Sequence, residues 1–338
     1  MKVTVVGAGG IGGPLGAHLI QAGHEVTFVE SNRAHLEAMR ERGLHVTGHA
    51  DLRVRPAAVI APEELADLTA PVLLAVKSKD TEMALRSIAP RLGPDAYVVS
   101  LQNGLEEYKI AAAVGAERTV GAFLTFGGNF AGPGEVVYGG PGSFYLGEID
   151  GRRSRRVEEL ADVLGVFHPV GVTGNIFGYL WAKGALGCFY FATALVDEDV
   201  PDLIARREYR PLFGALVAEA VTVARAEGIR CEQVDGFNPN SFQDGEATRV
   251  EQSWQAQERY WAAHVQKRTG VWRDLAIHQR QTEVDHIITP ILIRGRDRGL
   301  NLPLLERLVE QVREAETGRR ALGLANLDDL RDRLGKAG

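Results

Sequence analysis

The sequence of 338 residues predicts an α/β N-terminal domain followed by an all-helical C-terminal domain. Up to about residue 172, short apolar segments alternate with segments of helical periodicity, which is typical of a mostly parallel sheet covered by helices. From Asn175 onward the strand signals almost vanish and long amphipathic helices replace them. We therefore expect two domains, 1–172 and 173–338.

The N-terminal stretch 1–30 predicts a strand, a glycine-rich turn, a helix and a second strand. The turn comprises Gly7, Ala8, Gly9, Gly10, Ile11 and Gly12. We expect Gly7 to permit a tight turn, Gly9 to let the backbone approach a pyrophosphate, and Gly12 to let the helix pack closely on the sheet. Unpaired N–H groups at the helix N-terminus would bind the phosphates. The alternative is that the glycines serve only helix–sheet packing.

Glu30 ends the second strand, at the distance from the glycines that a dinucleotide fold requires. A carboxylate at this place hydrogen-bonds the ribose hydroxyls and repels a 2′-phosphate. The charge of Glu30 therefore favours NAD over NADP as the cofactor. Arg33 lies three residues further on and could reach a 2′-phosphate, so NADP stays open as the alternative.

The alternation continues with a helix over 33–42, extended segments within 44–60, a strand over 72–76, a helix over 81–88 and a strand over 97–101. Lys77 follows one of these strands and Asn103 follows the next. Ligands of open α/β sheets bind beyond the carboxyl ends of the strands. We therefore expect Lys77 and Asn103 at the cofactor crevice.

The last part of this domain is rich in glycine between residues 127 and 142. Around this stretch we expect short antiparallel strands over 135–138 and 143–146. The arginine-rich run 152–156 starts a helix, and its charges predict a solvated face.

The C-terminal domain is predicted to contain helices over 176–195, 207–227, 247–267, 272–299 and 304–317. Gly228 and Gly299 are suited to end two of them, and Pro303 suits the first turn of another. The segment 232–246, with its Asn-Pro-Asn and Asp-Gly turns, is expected to be an exposed loop. Apolar faces of the helices after residue 200 favour a homodimer.

Composition narrows the class of protein. The net charge of −6 does not indicate a basic surface that would bind nucleic acid. No apolar run approaches the ~20 residues that span a membrane, and no secretory signal is evident. The two cysteines, Cys188 and Cys231, have no metal-binding spacing and are too few for a disulfide framework. We expect a cytoplasmic, metal-free protein with neither nucleic-acid nor membrane partners.

Five short motifs occur in order along both domains. They are Val-Val-Gly-Ala-Gly-Gly-Ile-Gly at 5–12, Val-Lys at 76–77, Leu-Gln-Asn-Gly at 101–104, Trp-Ala-Lys at 181–183 and Thr-Glu-Val-Asp at 282–285. Through them the chain resembles the ketopantoate reductase (2-dehydropantoate 2-reductase) family over nearly its whole length. The resemblance implies a Rossmann-type N-terminal domain, a 6-phosphogluconate-dehydrogenase-like C-terminal arrangement, and a cleft in which NAD(P)H reduces a 2-oxo acid to a 2-hydroxy acid.

The resemblance also implies roles for four residues. Lys183 matches the catalytic lysine, Glu283 the substrate-binding glutamate, Asn103 an asparagine beside nicotinamide and substrate, and Lys77 a lysine near the cofactor. Hydride transfer to a carbonyl carbon puts negative charge on the oxygen, which a cation or general acid stabilises. Lys183 has the chemistry for this role. The alternatives are a surface lysine at 183 and a helix-face carboxylate at 283.

The sequence departs from the family on the helix of Lys183. Positions one and two turns further on carry Gly187 and Phe191, where family members commonly have asparagines that bind a polar substrate. Losing such partners weakens recognition of a hydroxylated substrate. We therefore expect a bulkier or more apolar 2-oxo acid, or a related ketone, above Gly187 against Phe191.

A second departure precedes Glu283. The family often has two serines there, whereas this chain offers Thr269 as a replacement hydroxyl. Nearby cations could bind a substrate carboxylate or could pair with neighbouring acids; they are Lys267, Arg268 and Arg273. The surrounding tryptophans 254, 261 and 272 are expected to pack rather than to stack on a ligand.

Two other functions remain open on the sequence. One is a related dehydrogenase of a different hydroxy acid, a sugar acid or an imine. The other is a non-catalytic protein that senses the dinucleotide. The joint presence of Lys183, Asn103 and Glu283 argues against the sensor, because a sensor needs no proton donor.

Overall fold

The computed structural model describes residues 1–263 and 266–334. The chain forms two compact units, Met1–Ile176 (unit 1) and Phe177–Gly338 (unit 2). Unit 1 is an α/β domain and unit 2 is helical, so the predicted fold class is confirmed. Residues 335–338, which the predicted second domain includes, lie outside the described residues.

Unit 1 contains twelve strands and five α-helices in its described sequence. In chain order the strands are β1 (Lys2–Val6), β2 (Glu25–Val29), β3 (Leu44–Gly48), β4 (Leu52–Val54), β5 (Ala58–Ile60), β6 (Val72–Leu74), β7 (Val98–Ser100), β8 (Thr119–Leu124), β9 (Gly128–Gly132), β10 (Glu135–Tyr138), β11 (Phe144–Glu148) and β12 (Gly171–Val172). The helices are α1 (Gly12–Gln21), α2 (Arg33–Arg42), α3 (Thr81–Ile88), α4 (Glu107–Val114) and α5 (Arg155–Leu164).

Eight of the strands form one sheet in the order β12-β11-β8-β7-β6-β1-β2-β5. All neighbours in it are parallel except β8 and β11. The central strands β6 and β7 are buried at every residue, as expected of parallel strands covered on both faces. The carboxyl ends of β1, β6 and β7 therefore meet at one edge of the sheet.

The glycine-rich segment after residue 127 differs from the prediction. The strand predicted over 135–138 is β10, but it belongs to a second, four-stranded sheet of order β4-β3-β10-β9. There it lies antiparallel to β9 and parallel to β3. The strand predicted over 143–146 is β11 of the large sheet, so these two strands are not partners. Pairing between distant segments decided this, and local sequence carries no signal for it.

The arginine-rich run at the start of α5 also differs in part. Arg152, Arg153 and Arg155 are exposed, as predicted for a solvated face. Arg156 instead donates two hydrogen bonds to the buried carboxylate of Glu148, at 2.7 and 2.5 Å. This bidentate pair ties α5 to β11.

The helices of unit 2 are α6 (Ile176–Ala194), α7 (Val200–Ala205), α8 (Arg210–Ala226), α9 (Asn240–Asp244), α10 (Ala247–Ala263), α11 (Gly270–Ala276), α12 (Val284–Ile287), α13 (Thr289–Asp297), α14 (Pro303–Glu316) and α15 (Ala325–Leu334). Gly228 and Gly299 follow α8 and α13 with left-handed backbones, and Pro303 opens α14, as predicted. Part of the helix predicted over 247–267 falls on residues 264 and 265, outside the described residues. None of the described helices is long and apolar enough to cross a membrane.

Two predictions for unit 2 were wrong. The helix predicted over 272–299 is broken into α11, α12 and α13, and Gln279 between them has a left-handed backbone with φ of 47°. The segment 232–246 is not simply an exposed loop. It contains α9, Phe237 is fully buried, and the Asn240 amide donates to the Cys231 carbonyl at 2.8 Å. The apolar side chain at 237 outweighs the polar turn residues around it.

Candidate active site

The glycine-rich turn between β1 and α1 has the geometry that the sequence predicts. Gly7 has φ of +95°, a backbone that only glycine adopts readily. A Cβ at Gly12 would collide with the Gly7 carbonyl and lie 2.9 Å from Val5 Cγ1, so the helix needs glycine there to approach the sheet. Apart from its two chain neighbours, none of the described residues has a heavy atom within 4 Å of where a Cβ at Gly9 would be. The turn therefore leaves its outer side clear at Gly9.

The N-terminus of α1 offers hydrogen-bond donors. The helix starts at Gly12, and Ile11 in the N-cap position has no capping side chain. Among residues 1–263 and 266–334, none accepts a hydrogen bond from the N–H groups of Gly10 or Ile11. Such donors at a positive helix end fit a pyrophosphate. The turn thus fits the dinucleotide that its sequence predicts.

Glu30 lies directly after β2 and is buried. One carboxylate oxygen accepts a hydrogen bond from the Ala8 N–H at 3.0 Å, and the other accepts one from the Asn32 N–H at 2.7 Å. The carboxylate is thereby joined both to the glycine-rich turn and to the start of α2. A carboxylate has about four lone-pair sites, so two backbone donors leave capacity for ribose hydroxyls.

Arg33, the sequence-based candidate for a 2′-phosphate, is directed elsewhere. Its guanidinium forms an ion pair with Glu63, and its side chain is 62% exposed. Asn32 beside it caps α2 by accepting a hydrogen bond from the His35 N–H at 3.1 Å. The start of α2 therefore presents a capping amide and a surface ion pair.

Lys77 and Asn103 follow β6 and β7, and the structure joins the two loops that carry them. The Ser78 hydroxyl donates to the Asn103 carbonyl at 2.9 Å. The Gln102 amide donates to the Val76 carbonyl at 3.0 Å and to the Thr81 hydroxyl at 2.7 Å. These bonds fix the loops on which Lys77 and Asn103 lie.

The glycine-rich turn also abuts the Lys77 loop. A Cβ at Gly7 would lie 3.0 Å from the Val76 nitrogen. The residues that fix the loops of unit 1, Ser78, Gln102 and Thr81, were missed by sequence reasoning. Their only sequence signal is that they are polar residues in or next to the loops that follow β6 and β7.

In unit 2, Lys183 lies in the middle of α6 and is partly exposed. Two glycines of α6 near it pack against the helices that follow Glu283. A Cβ at Gly184 would lie 3.2 Å from Ile291 Cδ1, and a Cβ at Gly187 would lie 3.3 Å from Ile287 Cγ2. The contacts run in opposite directions along the two segments. The helix of Lys183 and the segment after Glu283 are therefore antiparallel neighbours.

The two departures from the family on α6 have different surroundings. The space above Gly187 is bounded by Ile287, which sequence reasoning did not identify. Phe191 is only 1% exposed, so its ring belongs to the core of the protein. Gly187 and Phe191, which lie one and two helical turns after Lys183, therefore supply no polar side chain.

Glu283 lies in the N-cap position of α12 and is partly exposed. The residues on either side of it are anchored by α14. Thr282 donates from both its N–H and its hydroxyl to Glu316 Oε1, at 2.7 and 2.6 Å. Asp285 forms an ion pair with Arg313. Glu283 is thus held on a short segment that α14 fixes at both ends.

Thr269 is buried, and its hydroxyl caps α11 by accepting a hydrogen bond from the Trp272 N–H at 3.1 Å. The neighbouring cations have partners inside unit 2. Arg268 pairs with Asp197 and Asp199, and its guanidinium lies 4.1 Å from the centre of the Trp272 ring. The sequence left two alternatives for these cations, binding a substrate carboxylate or pairing with neighbouring acids. Arg268 pairs with neighbouring acids in the structure.

The other two cations near Thr269 also bond within unit 2. Lys267 donates to the Trp261 and Ala262 carbonyls at the end of α10. Arg273 donates to the Gln266 side chain. Trp254 and Trp261 are buried, as expected of packing residues.

Titratable groups beside Lys183 on α6 stay protonated near neutral pH. Burial raises the pKa of the Cys188 thiol, so this thiol is not a nucleophile. Burial also raises the pKa of Tyr190 well above its usual value, and its hydroxyl donates to Gln257 Oε1 at 2.6 Å. The described residues hold no group of three or more His, Cys, Asp or Glu side chains that could bind a metal.

Comparison with known proteins gives matches to both units. The family described as "Ketopantoate reductase PanE/ApbA" matches residues 3–151, and "Ketopantoate reductase PanE/ApbA C terminal" matches residues 175–316. The 2-dehydropantoate 2-reductase of Halobacterium salinarum is 30% identical, with 94% of this chain and 99% of that protein covered. That of Archaeoglobus fulgidus is 29% identical, with 94% and 98% covered.

Solved structures agree on the fold. The PanE/ApbA family ketopantoate reductase from Ralstonia eutropha JMP134 is 27% identical and superposes with a TM-score of 0.76, covering 94% of this chain and 99% of that one. A D-mandelate dehydrogenase with NADH and anilino(oxo)acetate gives a TM-score of 0.80 with the same coverage. At 22% identity, the second likeness shows the fold alone.

Proposed function

The chain belongs to the ketopantoate reductase family, and on this premise we propose that it reduces a bulky or apolar 2-oxo acid to the 2-hydroxy acid, with NADH preferred. Its relatives make it an NAD(P)-dependent oxidoreductase. The observation that carries the proposal lies in unit 2, where the helix of Lys183 packs directly against the segment that follows Glu283. The proposed proton donor, Lys183, and the carboxylate of Glu283 thus belong to two neighbouring segments of unit 2.

The proposed mechanism assigns one task to each residue. The nicotinamide supplies the hydride when bound. Lys183 donates a proton to the carbonyl oxygen as negative charge develops there, which stabilises the transition state. Glu283 accepts a hydrogen bond from the nascent hydroxyl, and Asn103 orients the substrate or the nicotinamide. Lys77 lies near the cofactor phosphates or ribose.

The proposed substrate class follows from the apolar face of α6. Gly187 and Phe191 offer no side-chain hydrogen bonds, and Ile287 borders the partly exposed glycine with a further apolar side chain. Burying an apolar substrate group there needs no polar partner, whereas a hydroxylated group would lose its bonds to water. The fold also serves a D-mandelate dehydrogenase, so aromatic 2-oxo acids belong in any test of substrates. Thr269 is kept as a lining residue of the pocket in this proposal.

The proposed preference for NADH depends on Glu30 and Arg33. Glu30 accepts hydrogen bonds from the Ala8 N–H of the glycine-rich turn and from the Asn32 N–H, and this supports a fixed negative charge near the expected place of a 2′-phosphate. Arg33, which could offset that charge, is paired with Glu63. NADPH is the alternative cofactor. It would be favoured if Arg33 left its ion pair with Glu63 to bind the 2′-phosphate, because a surface ion pair costs little to break.

The test is a substrate screen that follows nicotinamide absorbance with both cofactors. We expect kcat/KM for phenylglyoxylate and branched or aromatic 2-oxo acids to exceed kcat/KM for ketopantoate, and NADH to exceed NADPH. A clear preference for ketopantoate would contradict the proposed substrate class. Sugar acids and imines in the same screen test the related-dehydrogenase alternative. Tight dinucleotide binding without turnover of any substrate would support the sensor.

We further propose a cytoplasmic homodimer. Unit 2 carries apolar side chains that are more than half exposed, namely Ile277 at 59% and Ile293 at 51%. Packing these side chains against a second copy would remove them from water. Light scattering after size exclusion should give twice the mass of one chain, and a monomer mass at micromolar concentration would contradict the dimer.

A further inference from the structure

We infer that His35 is a positioning residue for the dinucleotide, because it fastens the glycine-rich turn to the hairpin formed by β9 and β10. The inference rests on the proposed binding of NAD(P)H by this turn. It assigns a task to the four-stranded sheet of unit 1, which the mechanism otherwise does not use. His35 itself lies on α2 and contacts no part of the proposed chemistry.

The first observation is the bonding of Ala8, the residue between the first two glycines. Its N–H donates to Glu30 at 3.0 Å, and its carbonyl accepts a hydrogen bond from His35 Nε2 at 3.1 Å. The N–H and the carbonyl of Ala8 are therefore both hydrogen-bonded, the first to Glu30 and the second to His35. With these bonds in place, the peptide planes of the turn cannot rotate freely, and the N–H groups that follow Ala8 keep their direction.

The second observation is the other end of the imidazole. His35 Nδ1 accepts a hydrogen bond from the Gly134 N–H at 2.9 Å. Gly134 joins β9 to β10, and it lies 99 positions away in the sequence. Both bonds form only with the neutral ring protonated on Nε2. His35 is 1% exposed, so water cannot replace either bond.

The third observation is a direct contact between the turn and β9. A Cβ at Gly10 would collide with the Gly128 carbonyl group, and a Cβ at Gly128 would collide with the Gly10 oxygen. Two glycines thus let these backbones touch. The hairpin is joined to the turn at two points, through His35 at Ala8 and by contact at Gly10.

The consequence is preorganisation. A glycine-rich turn is flexible by composition, and ordering it upon binding would cost affinity. The hairpin and His35 hold the turn in place before the dinucleotide arrives. Loss of His35 should therefore weaken dinucleotide binding and leave the chemical step largely intact.

The experiment measures the dissociation constants of NADH and NADPH by fluorescence, together with kcat and both KM values. His35→Ala removes both bonds, His35→Gln can keep a donor near the Nε2 position, and His35→Asn can keep an acceptor near the Nδ1 position. The matched control is His45→Asn on β3 of the same small sheet. His45 pairs with Asp51 at 2.8 Å and lies 3.6 Å from Glu135 of β10, and neither of these partners belongs to the turn.

We expect His35→Ala to raise the dissociation constant and KM of the cofactor by roughly tenfold, as loss of buried hydrogen bonds predicts. The kcat at saturating cofactor and the KM of the 2-oxo acid should stay within about twofold of wild type. His35→Asn and His35→Gln should lie between. A merely structural role would lower the melting temperature without this split. Unchanged cofactor affinity, or an equal rise in His45→Asn, would overturn the inference.

Hydrogen exchange in the wild-type protein keeps the inference testable if the variants fail to fold. Saturating NADH should slow amide exchange of both the turn, 7–12, and the hairpin, 128–138. Slowing confined to the turn would overturn the inference. If neither cofactor binds the wild type at all, the proposed function fails instead, so the two failures are distinguishable.

Discussion

Glu30 joins the glycine-rich turn to the start of α2, and the proposed preference for NADH depends on the same carboxylate. The sequence places it at the end of the second strand and predicts its charge toward the ribose. Its bonds to the Ala8 and Asn32 N–H groups were not predictable, because they depend on how three separate segments meet. The same limit applies to His35, which in the sequence is one histidine of an amphipathic helix.

At this scale we predict that Glu30→Gln raises kcat/KM with NADPH relative to NADH by roughly tenfold, since a like charge beside the 2′-phosphate is removed. The glutamine keeps the shape and one acceptor for the backbone. Glu30→Ala should move the ratio in the same direction while weakening both cofactors, because Ala8 and Asn32 lose their partner. Steady-state kinetics with each cofactor measures the ratio.

The control for this change is Glu25→Gln at the other end of β2. Glu25 is 53% exposed and pairs with Lys2 at the surface. It should leave the cofactor ratio unchanged. A ratio that is equal in Glu30→Gln and wild type would remove Glu30 from cofactor selection.

Among the elements, the packing of α6 against α12 and α13 is the feature on which the proposed substrate site depends. Gly184 and Gly187 let Ile291 and Ile287 approach the helix of Lys183. The sequence identifies Gly187 as a departure but predicts open space there. Ile287 borders that space and leaves Gly187 partly exposed.

We predict that Gly187→Ala raises KM for the 2-oxo acid by roughly three- to tenfold, because small misplacements at a site are costly. The new Cβ would lie 3.3 Å from Ile287 Cγ2, so this side chain must give by a few tenths of an ångström, and we expect α12 and Glu283 to move with it. KM for the cofactor should not change. Kinetics with each substrate varied in turn measures both constants.

Gly184→Ala is the matched control for Gly187→Ala. Its Cβ would lie 3.2 Å from Ile291 Cδ1, the far end of a side chain on α13, and the helix gains the same alanine. Equal increases of KM in both variants would show that general helix packing, rather than the place of Glu283, is responsible.

Most elements were predictable where periodicity was strong. The helices over 33–42 and 81–88 have the predicted bounds, and a strand precedes the glycine-rich turn as predicted. The break between α11 and α12 was not predictable from local pattern. Glu316 and Arg313 of α14 hold Thr282 and Asp285, and these tertiary bonds outweigh the helical periodicity of the segment.

For the molecule as a whole, the sequence predicted the two-part fold class and the family. It did not predict the second sheet, in which β3 pairs with β10 and His45 lies opposite Glu135, 90 positions further along the chain. Non-local pairing of this kind depends on chain topology, and short windows of sequence carry no trace of it. The hydrogen bonds that fix the candidate site also join distant segments, so they too could not be predicted from short windows of sequence.

Stability across pH should depend on Glu219 of α8. Burial raises the pKa of this carboxyl to about 7, although it accepts hydrogen bonds from the Leu304 and Leu305 N–H groups at the start of α14. In the unfolded chain this carboxyl has the ordinary glutamate pKa of 4.5. Between these values the folded state binds more protons, so the free energy of unfolding falls as pH rises from about 4.5 to 7.

We predict that Glu219→Gln removes this loss, which is on the order of 3 kcal/mol. The difference in unfolding free energy between the variant and wild type should therefore be more favourable to the variant at pH 8 than at pH 5. Urea denaturation at both pH values measures it. Comparing the two differences cancels any pH-independent cost of the amide, and equal differences would contradict the prediction.

The most direct test of the proposed reductase is the turnover of Lys183→Ala with NADH and the best 2-oxo acid from the screen. We predict a fall in kcat of about 10²- to 10⁴-fold with an unchanged dissociation constant for NADH, because a general acid is lost while the turn of unit 1 is intact. Lys183→Arg keeps a positive charge but is a poor proton donor, so it should also be slow. Lys2→Ala, an exposed lysine on β1, is the control. Full activity of Lys183→Ala would contradict the account.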